Sequence, residues 1–392
     1  MPNTAPNTAE AVIIGGGVMG CSILYNLAEQ GVTNTLLLER DVLASGSTSK
    51  SQAILRMHYS NEVTSLLAWK SLDIFRNFEE ITGMPSGYTK TGYFLIVGQE
   101  DRQALLDNVA MHQRLGIASE VVSIEDMREL APMMSVEGDE SFAYESESGY
   151  ADPYSVTLGF ANRAREMGAR VQDSTPVTGI EVSGGRVTAV LTADGSIETP
   201  IAVIAAGPWS DRLLNGVGVD VPIRPLRHQV VVLRRPPGPD TEHPIVADNL
   251  NGFSARPDIG GLTMIGAGEE EFVDADTFNQ GVDMDVVEPT FEGIVKRIPA
   301  MSRAVFRGGW SGAFTVTPDW HPVLDRIEGI EGLYCAVGFS GHGFKESPMI
   351  GKAMAELITQ GSADCVDISM LNLNRFETGD LLRSRYAMQV LA

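Results

Sequence analysis

Cysteine and histidine are scarce in this sequence, and long apolar runs are missing. Its 392 residues include three cysteines and six histidines. Cys21, Cys335 and Cys365 lie far apart and form no CxxC pair, which excludes a disulfide scaffold and a cysteine-rich metal site and suits a reducing cytoplasm. The histidines show no ligand spacing, so we expect no metal. No segment reaches about 18 uninterrupted apolar residues, so we expect no membrane insertion.

Positive charge is also in short supply. Lysine and arginine number 29 against 51 aspartates and glutamates, which gives a formal net charge of −22. Such a chain lacks the basic face that neutralises phosphates, so we expect no nucleic-acid partner and no acidic membrane surface. Hydrophobic residues make up 43%, which is ordinary globular usage. The first ten residues, MPNTAPNTAE, have no basic start and no apolar core, and they predict a disordered tail over 1–9 rather than a signal peptide.

The order of predicted elements indicates two kinds of domain, each built from separate stretches of chain. Ala11–Ile14, Val18–Glu29 and Thr35–Leu38 predict a strand, a helix and a second strand, which is a βαβ unit. Strand-like runs predominate between about Val221 and Thr317. The sequence therefore predicts an α/β domain assembled from the two ends and the middle of the chain, and a β-rich domain assembled from two insertions.

A glycine-rich turn joins the first predicted strand to the first predicted helix. Gly15, Gly17 and Gly20 form the pattern G-x-G-x-x-G, and Glu39 ends the second strand roughly 20 residues further on. Glycines allow the tight turn, the close approach of backbone to a pyrophosphate, and close packing of helix on sheet, while the helix N-terminus faces the negative charge. The acid would bind ribose hydroxyls. The pattern predicts dinucleotide binding without distinguishing FAD from NAD.

Four blocks of sequence narrow this choice. They lie at 12–53, at 205–210 (AAGPWS), at 315–319 (TVTPD) and at 337–345 (VGFSGHGFK). In this order they resemble the FAD-dependent amine and amino acid oxidoreductases of the D-amino-acid oxidase, glycine oxidase and sarcosine oxidase type. The last two blocks are most similar to sarcosine oxidase-like members. In the last block a strand, a glycine-rich turn and a helix near Lys345 also aim a positive helix end at an anionic group, as a reduced flavin would be.

The resemblance implies a fold of α/β plus β-rich type, with a Rossmann-type FAD-binding domain and an inserted antiparallel-sheet substrate domain. The FAD-binding domain is expected at 10–85, 145–218 and 320–375, the substrate-binding domain at 86–144 and 219–319, and a C-terminal extension at 376–392. Together with the glycine motif, the resemblance implies FAD contacts from Gly15, Gly17, Val18, Met19, Gly20, Glu39, Arg40, Ser47, Thr48, Val177, Ala206, Gly207, Trp209, Gly312, Gly338, Ser340, Gly341, His342, Gly343, Phe344 and Lys345.

The same resemblance implies the substrate and the reaction. A carboxylate substrate needs one or two buried cations, and arginine binds it bidentately. Arg56 and Lys345 are similar to the family's two carboxylate-binding cations, and we expect them, with His342, to be the catalytic residues. The expected reaction is hydride transfer to flavin N5 from the C–N bond of a small amino acid or N-alkyl amino acid such as sarcosine, giving an imine that water hydrolyses. Oxygen or another acceptor would then take the electrons.

Departures from the family pattern keep alternatives open. Gly312 stands where sarcosine oxidases tether flavin through cysteine, and Ser49 and Lys50 replace a tethering histidine of other relatives, so we expect noncovalent FAD. Met264 aligns best with a lysine that speeds the reaction with oxygen, which casts doubt on fast oxidase activity. A dehydrogenase, or an FAD-binding electron-transfer subunit of a heteromeric complex, is the alternative. An NAD-linked dehydrogenase leaves the C-terminal block unexplained, and homo- and hetero-oligomers stay open.

Overall fold

The computed structural model describes residues 8–386 of the chain. Within this range no helix is long and apolar enough to cross a membrane. The predicted disordered tail falls outside the described residues at 1–7, but it is wrong for residues 8 and 9. Thr8 pairs with Glu198, and the Ala9 amide donates to the Glu198 carbonyl at 3.0 Å. A strand edge thus orders these two residues by satisfying their backbone groups.

Helices and strands alternate along most of the described chain. The helices are α1 (Val18–Glu29), α2 (Glu62–Arg76), α3 (Phe78–Thr82), α4 (Arg102–Arg114), α5 (Ile124–Leu130), α6 (Pro153–Glu166), α7 (Ser210–Asn215), α8 (Met284–Arg297), α9 (Gly343–Gln360) and α10 (Arg375–Thr378). The strands are β1 (Ala11–Ile14), β2 (Thr35–Leu38), β3 (Ile54–Leu55), β4 (Thr89–Lys90), β5 (Tyr93–Val97), β6 (Ser119–Val122), β7 (Ser141–Glu145), β8 (Gly149–Tyr150), β9 (Arg170–Gln172), β10 (Val177–Ser183), β11 (Arg186–Thr192), β12 (Gly195–Glu198), β13 (Ala202–Ile204), β14 (Arg224–Arg234), β15 (Ile245–Asp248), β16 (Phe253–Asp258), β17 (Leu262–Phe272), β18 (Val305–Val316), β19 (Val323–Arg326) and β20 (Leu333–Val337).

A six-stranded sheet collects strands from the two ends and the middle of the chain. Its order is β19-β20-β13-β1-β2-β9, and every neighbouring pair except β19 with β20 is parallel. β1, β2, β13 and β20 are buried throughout, which explains their unbroken apolar sequences. The predicted βαβ unit is confirmed with the bounds that the sequence indicated. Because β1 and β20 run in the same direction, the helices α1 and α9 that follow them begin at one edge of the sheet.

Helices α1 and α9 pack closely against each other. A Cβ atom at Gly351 in α9 would lie 2.1 Å from the Ser22 Oγ atom of α1, so only glycine fits at this crossing. The Ser22 hydroxyl donates to the Ser347 carbonyl at 2.8 Å. This contact fixes the two helix N-termini relative to each other at the sheet edge.

An eight-stranded sheet forms the β-rich part, in the order β18-β14-β17-β16-β15-β5-β7-β6. Its pairs are antiparallel except for β15 with β5, which are parallel. β5, β6 and β7 come from the first insertion and the other five strands from the second. The parallel pair is therefore where the two insertions join into one sheet.

The helical region over residues 62–82 is divided into α2 and α3, which are separated at Asn77. Helix α8 was missed, because Pro289 and the surrounding strand-like runs masked its helical period. The buried residues Val287 and Ile294 show that period, and they pack on the face of the eight-stranded sheet that also carries Phe253 and Ile265.

A buried ion pair holds the C-terminal region to the six-stranded sheet. The Arg375 guanidinium donates to both oxygens of the Asp319 carboxylate, at 2.8 and 3.0 Å, and each side chain is 1% exposed. Arg375 also donates to the His321 carbonyl at 2.8 Å. Asp319 ends the TVTPD block, so this pair connects a predicted functional block to the chain end. Residues 376–386 of the predicted extension are described, and 387–392 lie outside the described residues.

Replacing Arg375 with Met should strongly destabilise the protein. The change leaves the Asp319 carboxylate buried without its counterion, which costs about 3–5 kcal/mol of unfolding free energy. Urea denaturation followed by circular dichroism measures this loss. Arg186→Gln removes an exposed pair with Glu331 and is the control, with an expected loss of about 0–1 kcal/mol. Equal losses in the two variants would contradict a structural role for the buried pair.

Candidate functional site

The first glycine turn lies where β1, α1 and β13 meet. Gly15 has a φ of 114°, and a Cβ atom there would lie 2.4 Å from the Ala205 carbonyl oxygen. A Cβ atom at Gly20 would lie 1.9 Å from the Gly15 carbonyl oxygen. The three backbone segments therefore approach each other with no room for side chains at Gly15 and Gly20.

The N-terminus of α1 lies at this turn. Its N-cap, Gly17, has no side-chain hydrogen bond, and no acidic residue lies in the first helical turn. The Val18 amide donates to the Thr48 hydroxyl at 3.1 Å, and the Gly16 amide donates to the Glu39 carboxylate at 2.7 Å. Thr48 and Glu39 therefore already brace the turn. The partial positive charge of the helix end favours an anionic group here.

Other predicted cofactor residues lie on or next to strands of three different sheets. The Ser47 hydroxyl donates to the Ala313 carbonyl at 2.7 Å, beside Gly312 in β18. The turn after β13 carries Ala206, Gly207 and Trp209, and Val177 begins β10. The exposed Arg40 guanidinium lies 3.6 Å from the centroid of the Trp209 ring. Arg40 also pairs with Asp276, which accepts a hydrogen bond from the Trp209 indole at 2.7 Å.

The second glycine turn connects β20 to α9. The Ser340 amide donates to the Thr315 carbonyl at 2.9 Å, which joins the GFSGHGFK block to the TVTPD block. A Cβ atom at Gly341 would lie 2.9 Å from the Phe314 ring, so the turn lies directly on β18. Gly338, His342, Gly343 and Phe344 belong to this same segment. The structure thus brings the two late sequence blocks together at the start of α9.

Two buried cations surround one aromatic ring. The Arg56 guanidinium carbon lies 4.3 Å from the centroid of the Tyr59 ring, and the Lys345 Nζ lies 5.8 Å from it. Arg56 is 8% exposed and Lys345 is 7% exposed. The His342 ring lies 5.0 Å from the Tyr59 ring in an edge-on arrangement. The three predicted catalytic residues therefore meet around Tyr59, and we call Arg56, Lys345 and Tyr59 the clamp.

Sequence analysis missed Glu346, a buried acid next to the clamp. Glu346 follows Lys345 in the first turn of α9 and is fully buried. Burial raises the pKa of the Glu346 carboxyl to about 7, whereas burial and the charge of Arg56 lower the pKa of the Lys345 ammonium to about 7. An acid in a predicted first helical turn, next to a predicted substrate-binding lysine, was the signal available in the sequence.

A buried cluster of His58, His112 and Glu145 lies next to Arg56. Arg56 donates to the His58 carbonyl, the His58 Nε2 atom lies 2.6 Å from the Tyr386 hydroxyl, and the His58 Nδ1 atom lies 3.9 Å from Glu145 Oε1. His58, His112 and Glu145 each offer one ligand atom, and these atoms lie within 4.8 Å of one another. Spacing in the sequence gave no sign of this cluster. We interpret it as support for the Arg56 backbone, because the adjacent guanidinium charge opposes a buried dication.

Comparison with known proteins assigns the family. The sequence model for FAD dependent oxidoreductases matches residues 10–357. The chain belongs to this family. Mouse (Mus musculus) sarcosine dehydrogenase, a mitochondrial protein, is 30% identical over 383 residues, which cover 95% of this chain and 42% of that protein. The chain therefore spans about two fifths of the length of that relative.

Two solved structures of the same fold match nearly the whole chain. The L-proline dehydrogenase from P. horikoshii has a TM-score of 0.89 at 28% identity, covering 96% of this chain and 100% of that one. The glycine oxidase from Bacillus cereus ATCC 14579 has a TM-score of 0.79 at 26% identity, covering 97% and 100%. The predicted resemblance to the D-amino-acid oxidase and sarcosine oxidase type, and the predicted fold class, are confirmed.

The chain thus belongs to a family of FAD-dependent oxidoreductases, and its turns fit this cofactor. The tight glycine turn before α1 and the positive end of this helix, which has no acidic residue in its first turn, suit the pyrophosphate. Glu39 directly follows β2, at the position where an acidic residue binds ribose hydroxyls in dinucleotide-binding folds. The second glycine turn offers a further helix end for the flavin ring. The individual contacts of the predicted FAD-binding residues stay predictions.

Arg256 lies beside Met264, the residue that aligns best with the oxygen-activating lysine of the family. Met264 on β17 pairs with Arg256 on β16, and the Arg256 Nη2 atom lies 3.2 Å from the Met264 sulfur. Arg256 is 5% exposed and its guanidinium carbon lies 4.1 Å from the Tyr150 ring centroid. Its positive charge therefore reaches the Met264 region from the neighbouring strand. The sequence contained this arginine, but only the strand register places it there.

Replacing Gly20 with Ala should weaken FAD binding. The new Cβ atom would overlap the Gly15 carbonyl and push α1 away from the phosphate-binding turn, which typically costs 1–3 kcal/mol and a roughly 5- to 150-fold loss of FAD affinity. The ratio of flavin to protein absorbance after dialysis measures this. Gly138→Ala is the control, because no atom lies within 4 Å of a Cβ at Gly138. Full FAD retention by the Gly20 variant would contradict the assigned role of this turn.

Proposed function

We propose that this chain oxidises the C–N bond of a small amino acid or N-alkyl amino acid to an imine, which water then hydrolyses. The observation that carries the proposal is the clamp, in which two buried cations flank Tyr59 at the start of α9. Burying two positive charges is costly unless an anion completes the site. A substrate carboxylate is an anion of suitable size, and Arg56 is able to bind it through two parallel hydrogen bonds.

The relatives support this class of substrate. Their names identify sarcosine, L-proline and glycine as substrates of those proteins. Each of these compounds carries one carboxylate and one amine on the same carbon. One such carboxylate matches the Arg56 and Lys345 pair, and the amine then lies next to it in the clamp. The C-terminal GFSGHGFK block favours a secondary amine such as sarcosine over a primary D-amino acid.

When bound, FAD accepts the hydride from the substrate C–H bond. The chain's own groups hold the substrate for this step. Arg56 and Lys345 fix the carboxylate, and Tyr59 forms the wall between them. We propose that His342 keeps the Tyr59 ring in place by its edge contact at 5.0 Å. Holding the substrate in one orientation increases the rate, because the reacting atoms are then already positioned for hydride transfer.

We propose that FAD is held without a covalent bond. A Cβ atom at Gly312 would lie 2.6 Å from the Lys50 Cβ atom, so the structure leaves no space for a tethering side chain there. Ser49 and Lys50 provide no histidine at the other tethering position. Acid precipitation of the protein should therefore release the flavin into the supernatant.

We propose the domain division given by the sequence. The strands of the six-stranded sheet lie within 10–85, 145–218 and 320–375, which supports an FAD-binding domain over these segments. The strands of the eight-stranded sheet lie within 86–144 and 219–319, apart from Glu145, the last residue of β7, and this supports a substrate-binding domain there. The clamp cations Arg56, directly after β3, and Lys345, in the first turn of α9, both belong to segments of the FAD-binding domain.

The electron acceptor is oxygen or a second redox centre. The guanidinium of Arg256 beside Met264 favours oxygen, because a cation stabilises the superoxide that forms first, and Asp258, 3.3 Å from Arg256, offsets part of this charge. A subunit that passes electrons to a partner is the alternative, and it is favoured by the absence of a lysine at Met264. We also propose a reducing compartment such as the cytoplasm, supported by the free thiols of Cys21, Cys335 and Cys365.

Anaerobic addition of substrates to the FAD-loaded protein tests the proposed function. We expect sarcosine, another N-alkyl amino acid or proline to bleach the flavin absorbance, and we expect imine hydrolysis to release an amine and an oxo acid or aldehyde. Readmission of oxygen then distinguishes an oxidase, which recovers its colour quickly, from a dehydrogenase. A flavin that no amino acid or amine reduces would overturn the proposal.

Replacing Arg56 with Met should weaken substrate binding and leave FAD bound. Loss of one buried partner of a charged hydrogen-bonded pair costs about 2–5 kcal/mol, which is a roughly 30-fold or larger rise in KM. Steady-state kinetics with sarcosine or another active substrate measures this rise. Arg163→Met removes an arginine from the exposed face of α6 and is the control. An unchanged KM in the Arg56 variant would contradict the assignment.

Anion binding to the clamp should weaken as the pH rises through about 7. The Lys345 ammonium, whose pKa burial lowers to about 7, loses its charge in this range, and the Glu346 carboxyl gains a negative charge. Both changes make the clamp less positive. Titration with acetate, followed by flavin absorbance, should show lower affinity at about pH 8 than at about pH 6, with acetate ionised throughout. Lys345→Met should bind acetate weakly at both pH values, and Lys352→Met, on the exposed side of α9, should behave as wild type.

A further inference from the structure

Glu346 is a buried acid that the proposed reaction leaves without a role. It is 0% exposed, and its carboxylate oxygens make no hydrogen bond of ordinary geometry to the described residues, although the nearby Tyr59 hydroxyl acts to lower its pKa. The Tyr59 hydroxyl likewise makes no such hydrogen bond within the described chain. Buried carboxylates without hydrogen bonds are rare because the desolvation cost is not compensated. The geometry therefore leaves an acceptor free at the clamp.

The groups that face Glu346 come from several elements. Lys345 belongs to the same turn of α9, and Arg56 and Tyr59 belong to the segment that follows β3. Beyond them, Tyr93 of β5 and Glu145 of β7 act on Arg56. With Arg56 and Lys345 protonated and Glu346 ionised, the clamp and this acid carry one net positive charge. That charge is complementary to one substrate carboxylate.

The substrate brings a second charge to the same place. A free amino acid near neutral pH carries an ammonium group beside its carboxylate. If the carboxylate pairs with Arg56 and Lys345, the ammonium lies within a bond or two of it. Glu346 offers an unpaired negative oxygen to that ammonium. Oxidation of the C–N bond requires the amine in its neutral form, so a proton must leave first.

We propose that Glu346 accepts the ammonium proton of the amino acid bound in the clamp. One N–H bond breaks and one O–H bond forms on the Glu346 carboxylate, while the electron pair stays on nitrogen, so the step involves no oxidant. The product is a neutral amine beside a neutral carboxylic acid. This inference rests on the proposed function, because it assumes an amine-containing substrate.

The environment of Glu346 suits a proton acceptor. Burial raises the pKa of its carboxyl to about 7, and Lys345, Arg56 and Tyr59 oppose this rise. A base is most effective when its pKa lies near the working pH. Below about pH 7 the carboxyl is protonated and does not accept the proton, so the rate of flavin reduction should rise with pH and then level off above about 7.

Glu346→Gln tests the assignment, because glutamine keeps the shape and removes the acceptor charge. At about pH 7.5, anaerobic stopped-flow reduction of the flavin by the active amino acid should slow about 100-fold, the usual contribution of a general base. In wild type the rate should level off above about pH 7. In the variant it should keep rising towards the substrate amine's own pKa, since the proton must then leave to solvent.

Acetate binding gives a readout that does not depend on turnover. Acetate has a carboxylate and no amine, so removal of the Glu346 charge should tighten its binding several-fold above about pH 7. The variant should thus bind acetate better and react with the amino acid more slowly. A merely structural role would weaken both. Glu356→Gln is the matched control on the same helix, since Glu356 accepts hydrogen bonds from the Asp364 and Cys365 amides away from the clamp.

The Glu346→Gln variant is a valid test if it retains FAD and the wild-type melting temperature. Glu346→Asp, which restores a carboxylate, should recover part of the rate of flavin reduction. Unchanged reduction kinetics in Glu346→Gln, with wild type active, would overturn the inference and leave the proposed function intact. Weaker acetate binding in that variant would also overturn it. A wild-type flavin that no amine reduces would instead overturn the proposed function, and the inference with it.

Discussion

The close crossing of α1 and α9 is the constraint on which the rest of the site depends. These helices follow two parallel strands of one sheet, and Gly351 lets them approach until the Ser22 hydroxyl reaches the Ser347 carbonyl. Both helices therefore begin at the same edge, and both positive ends point to it. One end closes the turn that suits the pyrophosphate, and the other carries Lys345 and Glu346. A longer side chain at the crossing would separate the cofactor turn from the clamp.

Charge burial at the start of α9 has a structural cost that explains the polar groups around it. Arg56 and Lys345 are both buried, and the positive charge of Arg56 disfavours the protonated form of Lys345. Tyr59 offers its ring face to both cations, and Glu346 offsets part of their charge. Behind Arg56, the His58 carbonyl accepts from the guanidinium, and His58 in turn contacts Glu145 and Tyr386. The C-terminal segment thus takes part in shaping the site through Tyr386.

Prediction from sequence succeeded where the signal was local. The strand, glycine turn and helix over 11–29 were predicted with the observed bounds, since an apolar run, a glycine pattern and a helical period occur in immediate succession. It failed at α8, where Pro289 and neighbouring strands hid a helical period that tertiary packing stabilises. It also failed at residues 8 and 9, whose order depends on pairing with β12, nearly two hundred residues away.

The sequence by itself determined the βαβ unit and dinucleotide binding, because a short motif with fixed spacing encodes them. Its resemblance to a known family implied FAD, the fold class and the two cations. Only the tertiary structure decided which groups meet. It placed Arg256 beside Met264 through the register of β16 and β17, joined Asp319 to Arg375, and left Glu346 unpaired beside Arg56. The first two contacts join residues that are separated in the sequence, and the third depends on the direction in which the Glu346 side chain points. No local pattern specifies them, since they arise from how sheets, helices and chain ends pack.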